Sequence, residues 1–149
     1  MTEVSMTVAT SPDRVFDVLA DGWLYVGWVV GAAHIRDVDP GWPAVGTRLH
    51  HSVGPWPFLV HDTTTVRALD RPRTMELDAG LWPFGAARVR LELTETDPGT
   101  TEIRMIEQVV AGPGRVLPEP VQALLLVPRN RESLRRLADL AVGREEAGK

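Results

Sequence analysis

The 149-residue sequence contains no cysteine and a single lysine, Lys149. The absence of cysteine excludes disulfides, thiolate metal sites and a cysteine nucleophile. The absence of an internal lysine excludes Schiff-base chemistry within the chain. The other fifteen of the sixteen basic residues are arginine, and with many alanines, glycines and prolines this is typical of a GC-rich bacterial genome.

Long apolar runs are also missing, since no stretch reaches 18 uninterrupted apolar residues. The first residues show no basic segment followed by an apolar core, so we expect neither a signal peptide nor membrane insertion, and a cytoplasmic location. The net charge of −4 argues against a general nucleic-acid binder. No phosphate loop, dinucleotide fingerprint or Gly-x-Ser-x-Gly elbow occurs, and we expect no cofactor.

The length predicts one domain over residues 1–149. Alternation of Val4, Met6 and Val8 with polar residues predicts a first strand. A helix then begins at Ser11-Pro12-Asp13, where Ser11 can cap the free amides and Pro12 suits the first turn. The apolar segment Trp23–Val30 predicts a second short helix.

The middle of the chain predicts six further strands separated by proline- and glycine-rich turns. The clearest alternates Ala87, Val89, Leu91 and Leu93 with polar residues, which favours an antiparallel sheet with one buried face. The expected strands are Ala33–Val38, Thr47–Val53, Phe58–Leu69, Thr74–Leu81, Gly85–Thr96 and Thr101–Ala111.

The period changes to that of a helix after Gly112-Pro113-Gly114. Its expected apolar face consists of Val121, Leu124, Leu125, Leu134, Leu137, Leu140 and Ala141. Pro128 should kink or break this helix near Leu126–Pro128. The sequence therefore predicts an α+β protein in which a curved seven-stranded antiparallel sheet wraps around a long C-terminal helix, with two short helices after strand 1.

This order resembles the START/Bet v 1-like superfamily (SRPBCC), in particular its bacterial polyketide cyclase/dehydrase and lipid-transport branch. The resemblance covers essentially the whole chain. The matching segments are Ser11–Phe16, Leu19–Asp21, Tyr25, Trp28, Val45–Thr47, Asp70–Arg73 and Gly99–Ile103. The resemblance implies a helix-grip fold and an internal site for an apolar ligand; members include lipid carriers, hormone-binding proteins and aromatase/cyclases.

Strand phase predicts which side chains line the inside of the sheet. For the strand Phe58–Leu69 two phases remain open: Val60, Asp62, Thr64 and Val66 inward, or His61, Thr63 and Thr65 inward after a bulge. The expected ligand-binding residues are Trp28, Tyr25, His51, Met75, Leu77, Val89, Leu91, Ile103, Met105, Glu107 and Leu124.

Glu107 is the most informative of these residues because it interrupts an apolar strand face. A buried carboxylate must be paired, hydrogen-bonded or protonated. It is a candidate for ligand contact or for general acid/base catalysis, together with His51 and Tyr25. The alternative is a structural partner for an arginine or histidine on the adjacent strand.

His50, His51 and His61 do not predict a metal site, since His50 and His51 are adjacent on a strand and point to opposite faces. Three functions stay open: a binder of a lipid, polyketide or aromatic metabolite; a cyclase/aromatase or dehydratase; and a protein-interaction module without a ligand. We expect a monomer or homodimer.

Overall fold

The computed structural model describes residues 1–30, 32–53, 60–81 and 85–147. The chain begins with strand β1 (Thr2–Val8) and helix α1 (Pro12–Leu19). Ser11 caps α1 as expected, because its side chain accepts a hydrogen bond from the Arg14 amide. A 3₁₀ turn (Gly22–Leu24) then leads into α2 (Tyr25–Trp28), so the predicted second helix consists of two single turns.

Seven strands form one curved antiparallel sheet in the order β1-β7-β6-β5-β4-β3-β2. The strands that follow α2 are β2 (Ala32–Val38), β3 (Arg48–Val53), β4 (Val60–Asp70), β5 (Thr74–Leu81), β6 (Gly85–Asp97) and β7 (Thr100–Ala111). These bounds agree with the predicted strands to within about two residues, and the start predicted at Phe58 lies outside the described residues. Proline- and glycine-rich turns predicted the strand ends well, because these residues favour turns and seldom continue a strand.

The predicted strand phase is confirmed on the inner face. Leu77 on β5, Leu91 on β6 and Ile103 on β7 are all at most 2% exposed. On β4, Thr64 and Val66 are buried, which settles the question left open by the sequence in favour of their phase. The alternative face of His61, Thr63 and Thr65 is exposed or half-buried.

Helix α3 (Glu119–Ala147) runs without interruption through Pro128, so the predicted break does not occur. Proline removes one helical hydrogen bond, that to the carbonyl of Leu124 four residues earlier. Leu124 is 78% exposed, and water can solvate that carbonyl.

The predicted apolar face of α3 is correct only in its C-terminal half. Leu134, Leu137 and Ala141 are fully buried, whereas Leu124 and Leu125 are exposed. The expectation that Leu124 lines the internal site is therefore corrected. The helix packs against β1, α1 and α2, and its first turns extend beyond that support. No helix within the described residues is long and apolar enough to cross a membrane.

Candidate functional site

A chain of three buried polar side chains crosses the interior beneath α2. The Tyr25 hydroxyl lies 3.0 Å from Thr64 Oγ1, and His51 Nε2 lies 2.9 Å from the same oxygen. The Tyr25 and His51 rings stack with centroids 5.4 Å apart, and Trp28 meets Tyr25 edge-on at 5.6 Å. We refer to Tyr25, Thr64 and His51 as the polar chain.

Local structure explains how these side chains converge. Tyr25 is the first residue of α2, and Trp28 follows one turn later, so both face the sheet. His51 and Thr64 belong to the paired strands β3 and β4, where Leu49 is opposite Thr64 and Asp62 is opposite His51. Because His51 and Thr64 are thus diagonal neighbours on one face, their side chains can meet.

Burial sets the protonation of the polar chain. It lowers the pKa of His51, and the nearby charges have smaller effects. Burial also raises the pKa of the Tyr25 phenol, opposed in part by the hydrogen bond to Thr64. Both shifts favour the uncharged forms near neutral pH. The Thr63 backbone lies close enough to the ring to raise the pKa of His51, by less than the nearby charges do, but His51 Nδ1 is buried and makes no hydrogen bond of normal geometry with the described residues.

Asp62 is the carboxylate opposite His51, but its side chain turns toward β5. One of its oxygens accepts a hydrogen bond from the Thr63 amide at 2.8 Å. Regular pairing of β4 with β5 begins only at Thr64. The carboxyl group fills the place that a Cβ on Gly80 would occupy, within about 2 Å of that position. Glycine at position 80 therefore makes room for the Asp62 side chain.

The second polar group inside the protein is centred on Glu107, which is 1% exposed. Asn130 Nδ2 donates to its Oε1 at 2.7 Å, and Arg129 Nη1 lies 3.3 Å from both carboxylate oxygens. The alternative of a structural pair is thus realised, but its members come from α3 instead of an adjacent strand. The carboxylate is compensated by an ion pair and hydrogen bonds.

Arg129 also connects this group to the segment that follows α2. Its Nε donates to the Val30 carbonyl at 2.9 Å, and the Val30 amide donates to Ser133 Oγ at 3.1 Å. Both backbone groups of Val30 are therefore held by α3. The sheet, α3 and the segment after α2 are therefore all in contact with the Arg129 guanidinium group.

Most of the predicted ligand-binding residues lie together in the interior, on the inner face of the sheet or under α2. Val89 differs from its neighbours because it is only half-buried, between buried Leu77 and Glu107 across the sheet. Those placed fully inside are Tyr25, Trp28, His51, Met75, Leu77, Leu91, Ile103, Met105 and Glu107.

Sequence reasoning missed two members of the site, Arg129 and Asn130, and left the position of a third, Thr64, open. Thr64 could have been found from the phase of Val66, had the strand register been fixed. Arg129 lies among other arginines of α3, which suggests a surface position, yet it forms an ion pair with Glu107 on the inner face of the sheet. Asn130 gave no signal, since an asparagine in a polar stretch of helix is common.

His50 lies on the outer side of β3, as predicted, and its Nε2 is 2.8 Å from Asp39 Oδ1. Within the described ranges, no group of three or more histidine, aspartate or glutamate side chains is arranged to hold a metal ion. Outside the sheet, Trp42 Nε1 donates to the Leu19 carbonyl at 3.2 Å and anchors its loop to α1.

A curved antiparallel sheet closed by one long helix, with short helices between β1 and β2, defines the helix-grip class of Bet v 1-like proteins. The family model described as polyketide cyclase / dehydrase and lipid transport matches residues 1–142. The chain belongs to this family. No curated protein matches the sequence.

Solved structures at low identity share the fold. The di-domain ARO/CYC StfQ from the steffimycin biosynthetic pathway is 18% identical, with a TM-score of 0.74 over 98% of this chain. This chain spans 46% of StfQ, or about half its length. A START superfamily protein from Mycobacterium smegmatis is 17% identical (TM-score 0.65; 99% of this chain, 98% of that one). Ara h 8.0201 is 13% identical (TM-score 0.68; 95% and 96%).

Proposed function

We propose that this protein, as one domain over residues 1–149, binds a hydrophobic small molecule between the sheet and α3. The ligand is a lipid, a polyketide or an aromatic metabolite. Membership of the polyketide cyclase / dehydrase and lipid transport family supports a hydrophobic ligand in general. The proposal also includes a bacterial, cytoplasmic location and a monomeric or homodimeric state, which cell fractionation and size-exclusion chromatography test.

The observation that carries the proposal is the exposure of Val89. This side chain lies at the middle of the inner face, opposite buried Leu77 and beside buried Glu107. A valine so placed in a close-packed core would be covered on all sides. Its partial exposure supports an open space above the central strands, and apolar space with a few polar groups is typical of ligand sites.

Filling that space tests the proposal. Purified protein is examined by native mass spectrometry and by titration with naphthalene-type ligands followed by tryptophan fluorescence. Val89→Trp should abolish binding while the fold is retained. Ile106→Trp is the matched control, because Ile106 is half-buried on the outer face of the neighbouring strand. Unchanged affinity of the Val89 variant would contradict the proposal.

A cyclase- or aromatase-type enzyme is the second candidate. It is favoured by the phenol–hydroxyl–imidazole arrangement of the polar chain, which can exchange protons with a bound molecule. The similarity in fold to the di-domain ARO/CYC StfQ supports the same idea. Turnover of a poly-β-ketone substrate that is lost in His51→Phe, with the melting temperature retained, would establish it. Binding of the substrate without turnover would support the function of a ligand-binding protein instead.

A further inference from the structure

The polar chain contains one buried atom whose hydrogen-bonding capacity is unused in the described structure, His51 Nδ1. Leaving a buried polar atom without a partner destabilises the protein, because the atom has lost its hydrogen bond to water and gained none in return. His51 has only 1% of its surface exposed, so bulk water does not provide that partner. A site that retains such an atom is suited to a ligand that supplies the missing hydrogen bond.

We propose that His51 Nδ1 forms a hydrogen bond with a hydroxyl or carbonyl oxygen of an otherwise apolar ligand. The Thr64 hydroxyl can reverse the direction of its own hydrogen bonds, so that Nδ1 acts as donor to a carbonyl or as acceptor from a hydroxyl. This inference rests on the proposed function, since it names the ligand class of the same internal site. The ligand class is that of uncharged phenols, alcohols and ketones.

The reversal is possible because the Thr64 hydroxyl, at the centre of the polar chain, can act as donor or acceptor toward both neighbours. Thr64 can donate one hydrogen bond and accept two. For a carbonyl ligand, Nδ1 carries the proton and donates to the ligand. Nε2 then accepts from the Thr64 hydroxyl, whose oxygen accepts from Tyr25.

For a hydroxyl ligand the directions reverse. Nδ1 accepts from the ligand, Nε2 carries the proton and donates to Thr64 Oγ1, and Thr64 donates its own proton to the Tyr25 oxygen. Both arrangements keep the same pairs of atoms, which lie 2.9 and 3.0 Å apart in the structure, and differ only in where the protons lie. Every member stays neutral in both, so no charge has to be buried.

Access to Nδ1 requires a small displacement of the side chains around it. Helix α2 is suited to this because it is one turn long and lacks a side-chain hydrogen bond at its N-cap, Leu24. It carries Tyr25, a member of the polar chain, and Trp28, whose ring contacts that of Tyr25 edge-on.

Three matched probes test the inference: naphthalene, 2-naphthol and 2-acetylnaphthalene. We expect the two oxygen-bearing probes to bind about tenfold more tightly than naphthalene, which is the effect of one net hydrogen bond. His51→Phe and Thr64→Val should remove this preference and leave the affinity for naphthalene unchanged. Thr64→Ser should retain it.

Thr101→Val is the matched control for a buried threonine. Thr101 is fully buried and donates to the Thr10 carbonyl at 2.7 Å, away from the polar chain. Removal of the Thr101 hydroxyl should leave the preference for the oxygen-bearing probes unchanged. If all three probes bind the wild-type protein equally, the inference is wrong and the proposed function stands. If none binds, both are wrong for this class of ligand.

A measurement on the unmodified protein covers the case in which the variants do not fold. Nitrogen NMR of the imidazole distinguishes the two tautomers of His51. The complex with 2-naphthol should show the proton on Nε2, and that with 2-acetylnaphthalene should show it on Nδ1. The same tautomer in both complexes, or an imidazolium in either, would overturn the inference.

Discussion

Asn130 donates a hydrogen bond to Glu107 over 2.7 Å and so joins the middle of α3 to the inner face of β7. Arg129 reaches the same carboxylate from the preceding position of the helix. Glu107 is therefore held by two neighbouring donors of one helix, and its first role is to fix α3 against the sheet. A ligand contact by Glu107 would have to use the lone pairs that remain.

Replacing Glu107 with glutamine should destabilise the protein by about 1–3 kcal/mol, because the buried pair with Arg129 loses its charge while the volume is kept. The amide can still accept from Asn130, which limits the loss. Urea unfolding at pH 7 measures the free-energy difference.

Glu3→Gln on the neighbouring strand is the control for this variant. Glu3 pairs with Arg104, but both side chains are exposed to solvent, so loss of the pair should have much less effect on stability than loss of the Glu107 pair. Equal effects of the two substitutions would show that the Glu107 group does not fix the helix.

The two halves of α3 should respond differently to substitution of leucine. Leu134→Ala should cost about 2–5 kcal/mol, because the side chain is fully buried. Leu124→Ala should change stability by less than about 0.5 kcal/mol, since Leu124 is 78% exposed. Thermal unfolding followed by circular dichroism compares them, and a large loss in the Leu124 variant would mean that the first turns of α3 are packed in solution.

The sheet could be predicted from the sequence because its signals are local. Alternation of Val89 and Leu91 with charged residues and the turn residues at Asp97-Pro98-Gly99 define strand limits without knowledge of tertiary contacts. The burial of Glu107 followed from the same alternation. The phase of β4 did not, because both of its faces carry threonines and only pairing with β3 distinguishes them.

The contacts of α3 could not be predicted because they depend on where the helix lies on the sheet. Leucines at helical spacing indicate an apolar face, but Leu124 and Leu134 share that pattern and differ completely in burial. The pairing of Arg129 with Glu107 could not be predicted, because the two residues are 22 positions apart in the sequence. Long-range pairs of this kind leave no periodic signal.

Stability should fall as the pH drops below 6.5, through His51. Burial holds the pKa of His51 in the folded protein below its ordinary value of 6.5, so the unfolded chain takes up the proton first. Protonation then favours unfolding, at most by about 1.4 kcal/mol per pH unit. The charged and titratable groups near it are Asp62, which opposes this shift, and Arg36 and His50, which reinforce it.

Chemical denaturation of wild type and His51→Phe between pH 5 and pH 7.5 measures this contribution. The variant should lose part of the pH dependence below 6.5. His61→Phe, at an exposed position of β4, is the control for replacing a histidine by a phenylalanine. Parallel curves for wild type and His51→Phe would show that His51 is not held neutral.

Gly85, at the start of β6, should not tolerate a side chain. Its φ of +113° is rarely adopted by other residues, and a Cβ there would lie 1.8 Å from the Ala111 carbonyl oxygen. Gly85→Ala must therefore displace backbone at the β6–β7 pairing, and we expect the free energy of unfolding to fall by more than about 3 kcal/mol.

Gly99→Ala separates backbone strain from steric overlap, because Gly99 has a φ of +77° and open space around its Cβ position. That variant should lose only about 1–2 kcal/mol from backbone strain. If urea unfolding gives equal losses, the close approach to Ala111 does not determine the choice of glycine.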